Sequence, residues 1–144
     1  MTAGNICSRK LATARPDESV RDAAARMSEH GMGTLVVTAG DGAGAVGIVT
    51  DRDIVVRCVA KGVDPSRVKV STIMTQPVHA VDEDSPIEDA ILRMAEGASR
   101  RLLVTGQGGR LVGVLSLDDV IGMLIKEVKP LSRLLEAQAA PVAV

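Results

Sequence analysis

Apolar residues along the chain fall into two kinds of run, and the whole series of runs occurs twice. Val20, Ala23, Ala24 and Met27 keep the i, i+3, i+4, i+7 spacing of one helix face, as do Ile87, Ala90, Ile91 and Met94. Short runs rich in β-branched residues follow each helix: Thr34 to Thr38 and Ala45 to Val49, then Arg101 to Thr105 and Leu111 to Leu115. Gly40-Asp41-Gly42-Ala43-Gly44 and Gly106-Gln107-Gly108-Gly109 separate the strands of each pair, and glycine supplies the positive φ that tight turns need. A short extended piece opens each series, Lys10 to Ala14 and Pro77 to Val81, and a second helix closes it, Asp51 to Lys61 and Leu117 to Glu127. The pattern predicts an α/β (α+β) chain built as β-α-β-β-α, twice.

The repeat extends to single residues. Ile6-Cys7-Ser8 matches Ile73-Met74-Thr75, Arg26-Met27 matches Arg93-Met94, and Leu35-Val36-Val37 matches Leu102-Leu103-Val104, all at an offset of sixty-seven. After the glycine-rich turn the offset is sixty-six, so the second turn has lost one residue where such changes are tolerated. The expected division is 1–66, 67–130, and a 131–144 segment. In that segment Leu131, Leu134 and Leu135 predict one short amphipathic helix, with a frayed tail from Gln138 to Val144. Gly62 to Val70 links the units, and Lys129-Pro130 is expected to end the second.

Helix ends can be read in part. Ser85-Pro86-Ile87-Glu88 has a cap, a proline in the first turn and an acid at N3, and Gly31 and Gly97 are expected stops. Both closing helices carry apolar residues on most sides: Ile54, Val55, Val56, Cys58 and Val59, then Val120, Ile121, Met123, Leu124 and Ile125. They cannot all face one core, so a second buried contact is implied, with the other repeat or in a twofold homo-oligomer. Gly122, costing about 1 kcal/mol inside a helix, fits a close helix approach.

Composition narrows the functions. A chain of 144 residues with a formal charge of −1 and no run of five basic residues has no general pull toward nucleic acid or an anionic membrane. No stretch approaches eighteen apolar residues and Met1 to Lys10 lacks a signal pattern, so a cytoplasmic location is expected. Cys7 and Cys58 form no C-x-x-C and read as reduced structural thiols, with a redox-sensing role as the minor alternative. With no Phe, Tyr or Trp, a bound base would have to lie between aliphatic or methionine side chains.

Candidate chemistry sits where each last strand meets its helix. Gly47-Ile48-Val49-Thr50-Asp51-Arg52-Asp53 recurs as Gly113-Val114-Leu115-Ser116-Leu117-Asp118-Asp119, the pattern G-apolar-apolar-[S/T]-x-x-D. A strand feeding a helix start presents unpaired N–H donors and a positive dipole end to an anion. Thr50 and Ser116 add a hydroxyl, and Asp53 and Asp119 lie one turn on, about 5–6 Å away on the same side. A carboxylate there suits two sugar hydroxyls, as acids do toward ribose in dinucleotide folds. The same spacing is also close to a capping box, in which the residues satisfy each other. Recurrence at one offset favours binding, and the two roles can coexist.

These residues resemble the cystathionine-β-synthase-type (CBS) domain pair, often called a Bateman module, over roughly residues 5 to 130. The resemblance implies two units about a pseudo-twofold axis, with clefts between them that take adenine nucleotides (AMP, ADP, ATP) or another adenosyl ligand such as S-adenosylmethionine. It implies a homodimer, a regulatory role toward an unknown effector protein, and no catalysis. By the same resemblance Asp53 and Asp119 meet ribose, and Thr50 and Ser116 lie near ribose or phosphate. Thr13 and Ala80 fall at the base pocket with His79 at its edge, and Arg100 and Arg101 meet phosphate. Arg52 has Asp118 as its counterpart, and Arg100-Arg101 has Gly33-Thr34, so basic groups are unevenly shared and one cleft should be preferred.

Three functional classes compete. A stand-alone nucleotide-sensing module leads. A ligand-free dimerisation or partner-docking module with degenerate clefts is the alternative. An enzyme fits least, with two histidines, no H-E-x-x-H and no G-x-S-x-G. No cofactor is required, although Asp51/Asp53 or Asp118/Asp119 could hold Mg²⁺ beside a nucleotide; adjacent acids at a helix start more often simply suit its dipole.

Overall fold

The computed structural model describes residues 1–40 and 44–139, and most of the first hairpin turn (Asp41, Gly42, Ala43) and Ala140 to Val144 of the tail lie outside them. The first unit contains β1 (Thr13–Ala14), α2 (Val20–His30), β2 (Thr34–Thr38), β3 (Ala45–Thr50) and α3 (Asp51–Arg57), and it is preceded by a short helix α1 (Ala3–Ile6). The second unit repeats this as β4 (Ala80–Asp82), α5 (Ile87–Glu96), β5 (Arg101–Thr105), β6 (Leu111–Ser116) and α6 (Leu117–Ala139), preceded by α4 (Val70–Ile73). Each unit has a three-stranded sheet, β1-β2-β3 or β4-β5-β6, with the first pair parallel and the second antiparallel. The expected β-α-β-β-α order is present in both halves.

Strand alternation creates the pseudo-symmetric body. Leu35 and Val37 point into the first unit's core, while Val36 between them points the other way, and Leu102, Leu103 and Val104 repeat this in the second. Val36, Ile48 and Leu103 meet in a third, central cluster with Leu11, Val78, Ala80 and Val114. The two sheets therefore pack on each other through the faces turned away from their own helices.

The opening helices are exchanged between the units. Ala3 of α1 is fully buried in the second unit's core, and its N–H donates to the Ser85 carbonyl at 2.9 Å. Ser8 and Val114 exchange backbone hydrogen bonds of 2.9 and 3.0 Å. Val70 and Ile73 of α4 are buried in the first unit's core, and Thr75 exchanges bonds of 3.1 and 2.7 Å with Ile48. Packing thus divides the chain differently from the sequence halves: residues before Lys10 serve the second core, and those around Val70 to Thr75 the first.

Several local expectations are corrected. The opening strands are shorter than Lys10 to Ala14 and Pro77 to Val81. Ser19, not the more regular Ser85, supplies a side-chain cap, its Oγ accepting from Asp22 N–H at 3.1 Å. Pro86 is the cap residue of α5, and the Ile87 N–H donates to the Met1 carbonyl at 3.2 Å, so the exchanged N-terminus replaces a cap. Gly31 and Gly97 cap the ends of α2 and α5 as expected, but only Gly31 does so with a positive φ, 60°; Gly97 keeps φ −83° and Ala98 after it takes the positive φ of 46°. The second helix of the first unit is α3 followed by a 3-10 turn at Val59–Lys61. Lys129-Pro130 does not end the second unit: α6 runs through Pro130 to Ala139, although a proline inside a helix removes one N–H bond and clashes with the carbonyl four residues back, at a cost of about 3 kcal/mol or more.

Candidate ligand clefts between the repeats

Both motifs form reciprocal caps at their helix starts. The Thr50 N–H donates to Asp53 Oδ2 at 2.9 Å while the Asp53 N–H donates to Thr50 Oγ1 at 3.1 Å. In the second copy, Ser116 N–H and Oγ both donate to Asp119 Oδ2, at 2.8 and 2.6 Å, and the Asp119 N–H returns to Ser116 Oγ at 3.1 Å. Each acid uses Oδ2 for these bonds. The surroundings of Oδ1 differ, since Asp53 Oδ1 has Arg57 at 3.8 Å.

The second motif opens into a cleft of about 250 Å³ between the units. Ser116, Asp118, Asp119, Val114 and Arg101 line it from the second unit; Lys10, Leu11, Ala12, Met32, Gly33, Thr34 and Val36 line it from the first, with Ser8 of the exchanged segment. Apolar walls therefore meet two cations, two acids and three hydroxyls. A pseudo-equivalent cleft of about 260 Å³ lies across the axis, lined by Ile48, Thr75 to His79, Gly97 to Ser99 and Arg101. Thr50 and Asp53 do not line it. Arg101 borders both.

Thr13 and Ala80, expected at the base pocket, line neither of these clefts. They line a third cavity of about 620 Å³ near the hairpin ends, together with Thr38, Thr105 and Arg110. Ala12 and His79, one residue earlier, take the cleft positions, because neighbouring residues of an extended chain point to opposite sides. The Arg100 side chain lies 3.6 Å from Asp118 Oδ1 with both groups largely exposed, while the exposed Arg52 lines neither cleft. Lys10, Leu11 and Met32 join the first cleft without a local motif to mark them. The pairing of Gly33-Thr34 with Arg100-Arg101 was the available signal, since it put the loop before β2 at an equivalent place.

The family model for the CBS domain matches residues 3–59 and again 70–126. The chain belongs to the CBS domain family. As a CBS pair it is 32% identical over 121 residues to the uncharacterized protein MK0525 of Methanopyrus kandleri, a match that covers 84% of this chain and 61% of that protein, so it spans less than two thirds of that relative. The hexameric CBS-CP12 protein of bloom-forming cyanobacteria matches with a TM-score of 0.75 and 31% identity, over 84% of this chain and 69% of that one. The CBS pair of protein MJ0100, in complex with 5'-methylthioadenosine and S-adenosyl-L-methionine, matches with a TM-score of 0.76 and 24% identity, over 88% of this chain and 98% of that one. That last likeness establishes the shared fold.

Among the described residues no three of His, Cys, Asp and Glu gather as a metal-ligand set, and no helix is long and apolar enough to cross a membrane. Both cysteines are free thiols, Cys58 buried and Cys7 partly so.

Proposed function

We propose that this CBS pair is a regulatory module that binds an adenosyl ligand in the cleft bordered by Ser116 and Asp119. The observation that carries the reading is the convergence of Lys10, Arg101, Ser116 and Asp119 on one partly apolar cavity. Asp119 would accept from the ribose hydroxyls through Oδ1, since Oδ2 is used by the cap. Lys10 and Arg101 would meet a phosphate or carboxylate, and Leu11, Met32, Val36 and Val114 would hold the base in place of aromatic rings. Two cations against two acids favour a ligand of low negative charge, AMP or S-adenosylmethionine, over ATP with its longer anionic tail. The fold shared with the pair from MJ0100 supports the ligand class at that level. No Mg²⁺ is needed for such a ligand.

The signal would arise because the two units bind ligand better in one mutual arrangement than in another. Arg101, bordering both clefts, would feel occupancy on either side. Val55, Val56 and Val59 of the first unit and Ile121, Leu124 and Ile125 of α6 are exposed and offer faces for a homodimer. An effector protein would read the change, and no step of covalent chemistry is assigned to the module.

The test is a melting-temperature screen by far-ultraviolet circular dichroism or dye with AMP, ADP, ATP and S-adenosylmethionine. A shift with wild type that Asp119→Ala abolishes is the expected result. A protein unmoved by every adenosyl compound would favour the second reading, a docking module with degenerate clefts. The observation behind that alternative is that both acids already serve as caps.

A further inference from the structure

The last part of α6 leaves the body of the molecule. Val120 is buried at 2% exposure, whereas every residue from Leu124 to Ala139 is exposed. The exposed stretch from Leu124 to Ala139 is barely longer than the about 12–15 residues below which a free helix is marginal in water, and Pro130 weakens it by removing a backbone donor. The extension therefore calls for a partner.

Its sequence specifies which. Ile121, Val128 and Leu135 recur every seven residues, and Leu124 and Leu131 each follow by three. These are the a and d positions of a coiled coil, and the β-branched Ile121 and Val128 at a with Leu124 and Leu131 at d favour a parallel two-stranded form, with Leu135 at the last a. Lys126, Lys129, Pro130, Arg133 and Glu136 all fall on the outer face. In a parallel, in-register pair Glu127 meets the uncharged Ser132 across the flank, so no like charges are opposed. With Ile125 and Leu134 beside the seam, seven side chains at 44% to 67% exposure present on the order of 700 Å², close to the roughly 800 Å² per partner of a stable interface.

We propose that the α6 extension pairs with that of a second copy of this chain as a parallel, in-register two-stranded coiled coil. The inference rests on the pairing of chains and is independent of any ligand. It fixes the orientation of the two modules, with both C-terminal ends on one side.

Light scattering and sedimentation of the full chain should give a dimer. Leu131→Glu should raise the dimer dissociation constant about tenfold or more, with Lys129→Glu on the outer face leaving it unchanged. Leu131 is exposed, so melting curves should show that both variants fold. In a Cys7→Ser background, Val128→Cys alone and Leu135→Cys alone should each cross-link to themselves on mild oxidation. Cross-links formed only when those two variants are mixed would mean antiparallel helices or parallel helices out of register and overturn the proposal, as would a monomeric wild type. A dimer that survives Leu131→Glu but is lost in Val56→Glu would also overturn it, while leaving pairing through the body faces intact.

Discussion

Gly113 lies against Ser8 so closely that a Cβ on residue 113 would stand 2.6 Å from the Ser8 carbonyl oxygen and 2.7 Å from Cys7 Sγ. Gly47 has the same relation to the other exchanged segment, with Met74 Sδ at 2.6 Å and the Thr75 carbonyl at 3.2 Å from such a Cβ. The glycine that opens each motif therefore serves the passage of the opposite unit's lead segment, and the hydroxyl and acid serve the helix start.

Space, not φ, makes Gly113 necessary, since its neighbours Ser8 and Val114 are tied by two hydrogen bonds and cannot separate freely. Gly113→Ala is expected to destabilise the fold by about 1–3 kcal/mol, the usual cost of overpacking. Gly47→Ala should cost less, because the nearest atom there belongs to the flexible Met74 side chain. Urea unfolding followed by circular dichroism reads both; equal midpoints for Gly113→Ala and wild type would contradict the exchange as a stabilising contact.

The two motifs should separate stability from binding. Thr50→Ala and Ser116→Ala each remove the acceptor of a cap bond and should each lower stability by about 0.5–2 kcal/mol. Adenosyl-ligand affinity should fall with Asp119→Ala and hold with Asp53→Ala, because only Asp119 borders its cleft. Calorimetric titration of the two variants makes the comparison, and matching losses would show that both acids reach ligand.

Arg26 ties α2 to β1. One guanidinium nitrogen lies 2.6 Å from Glu18 and 2.8 Å from the Thr13 carbonyl, with the two side chains 32% and 14% exposed. The hydrogen bond that the guanidinium donates to Glu18 pushes the Arg26 pKa further up, opposed by burial. Arg26→Ala should cost about 1.5–3 kcal/mol as a hydrogen bond between charged groups, and Arg26→Lys should restore little of it because the fork is lost. Asp17→Asn, which breaks the exposed contact to Arg15, should change stability by less than about 1 kcal/mol. Thermal melts ranking Asp17→Asn beside Arg26→Ala would refute this assignment.

Burial raises the Cys7 thiol pKa, with Arg9 lowering it and Asp119 and Glu83 adding to the rise. Alkylation of Cys7 should therefore begin at higher pH than that of a free cysteine, as followed by mass spectrometry across a pH series. Because the folded value lies above the unfolded one, the thiol's contribution to stability is complete below the unfolded pKa and is lost as pH rises through the folded pKa. Wild type should accordingly lose more stability than Cys7→Ser at alkaline pH. Labelling at neutral pH faster than that of a free cysteine would reverse the reading.

Local pattern was enough for the elements and their order. Alternation within Leu35-Val36-Val37 and Leu102-Leu103-Val104, helical spacing from Val20 and from Ile87, and a duplicated strand-to-helix motif specify two copies of one unit, since side-chain periodicity follows directly from backbone geometry. The hydroxyl and acid of each motif were equally legible, because a cap spans only three residues. What lay between the units was not. The exchange of α1 and α4, the place of Lys10 and Met32 beside Asp119, the shift from Thr13 and Ala80 to Ala12 and His79, and the passage of α6 through Pro130 depend on surfaces far apart in the chain. Short-range periodicity states which side of an element is apolar, but only the packed structure decides what that side meets.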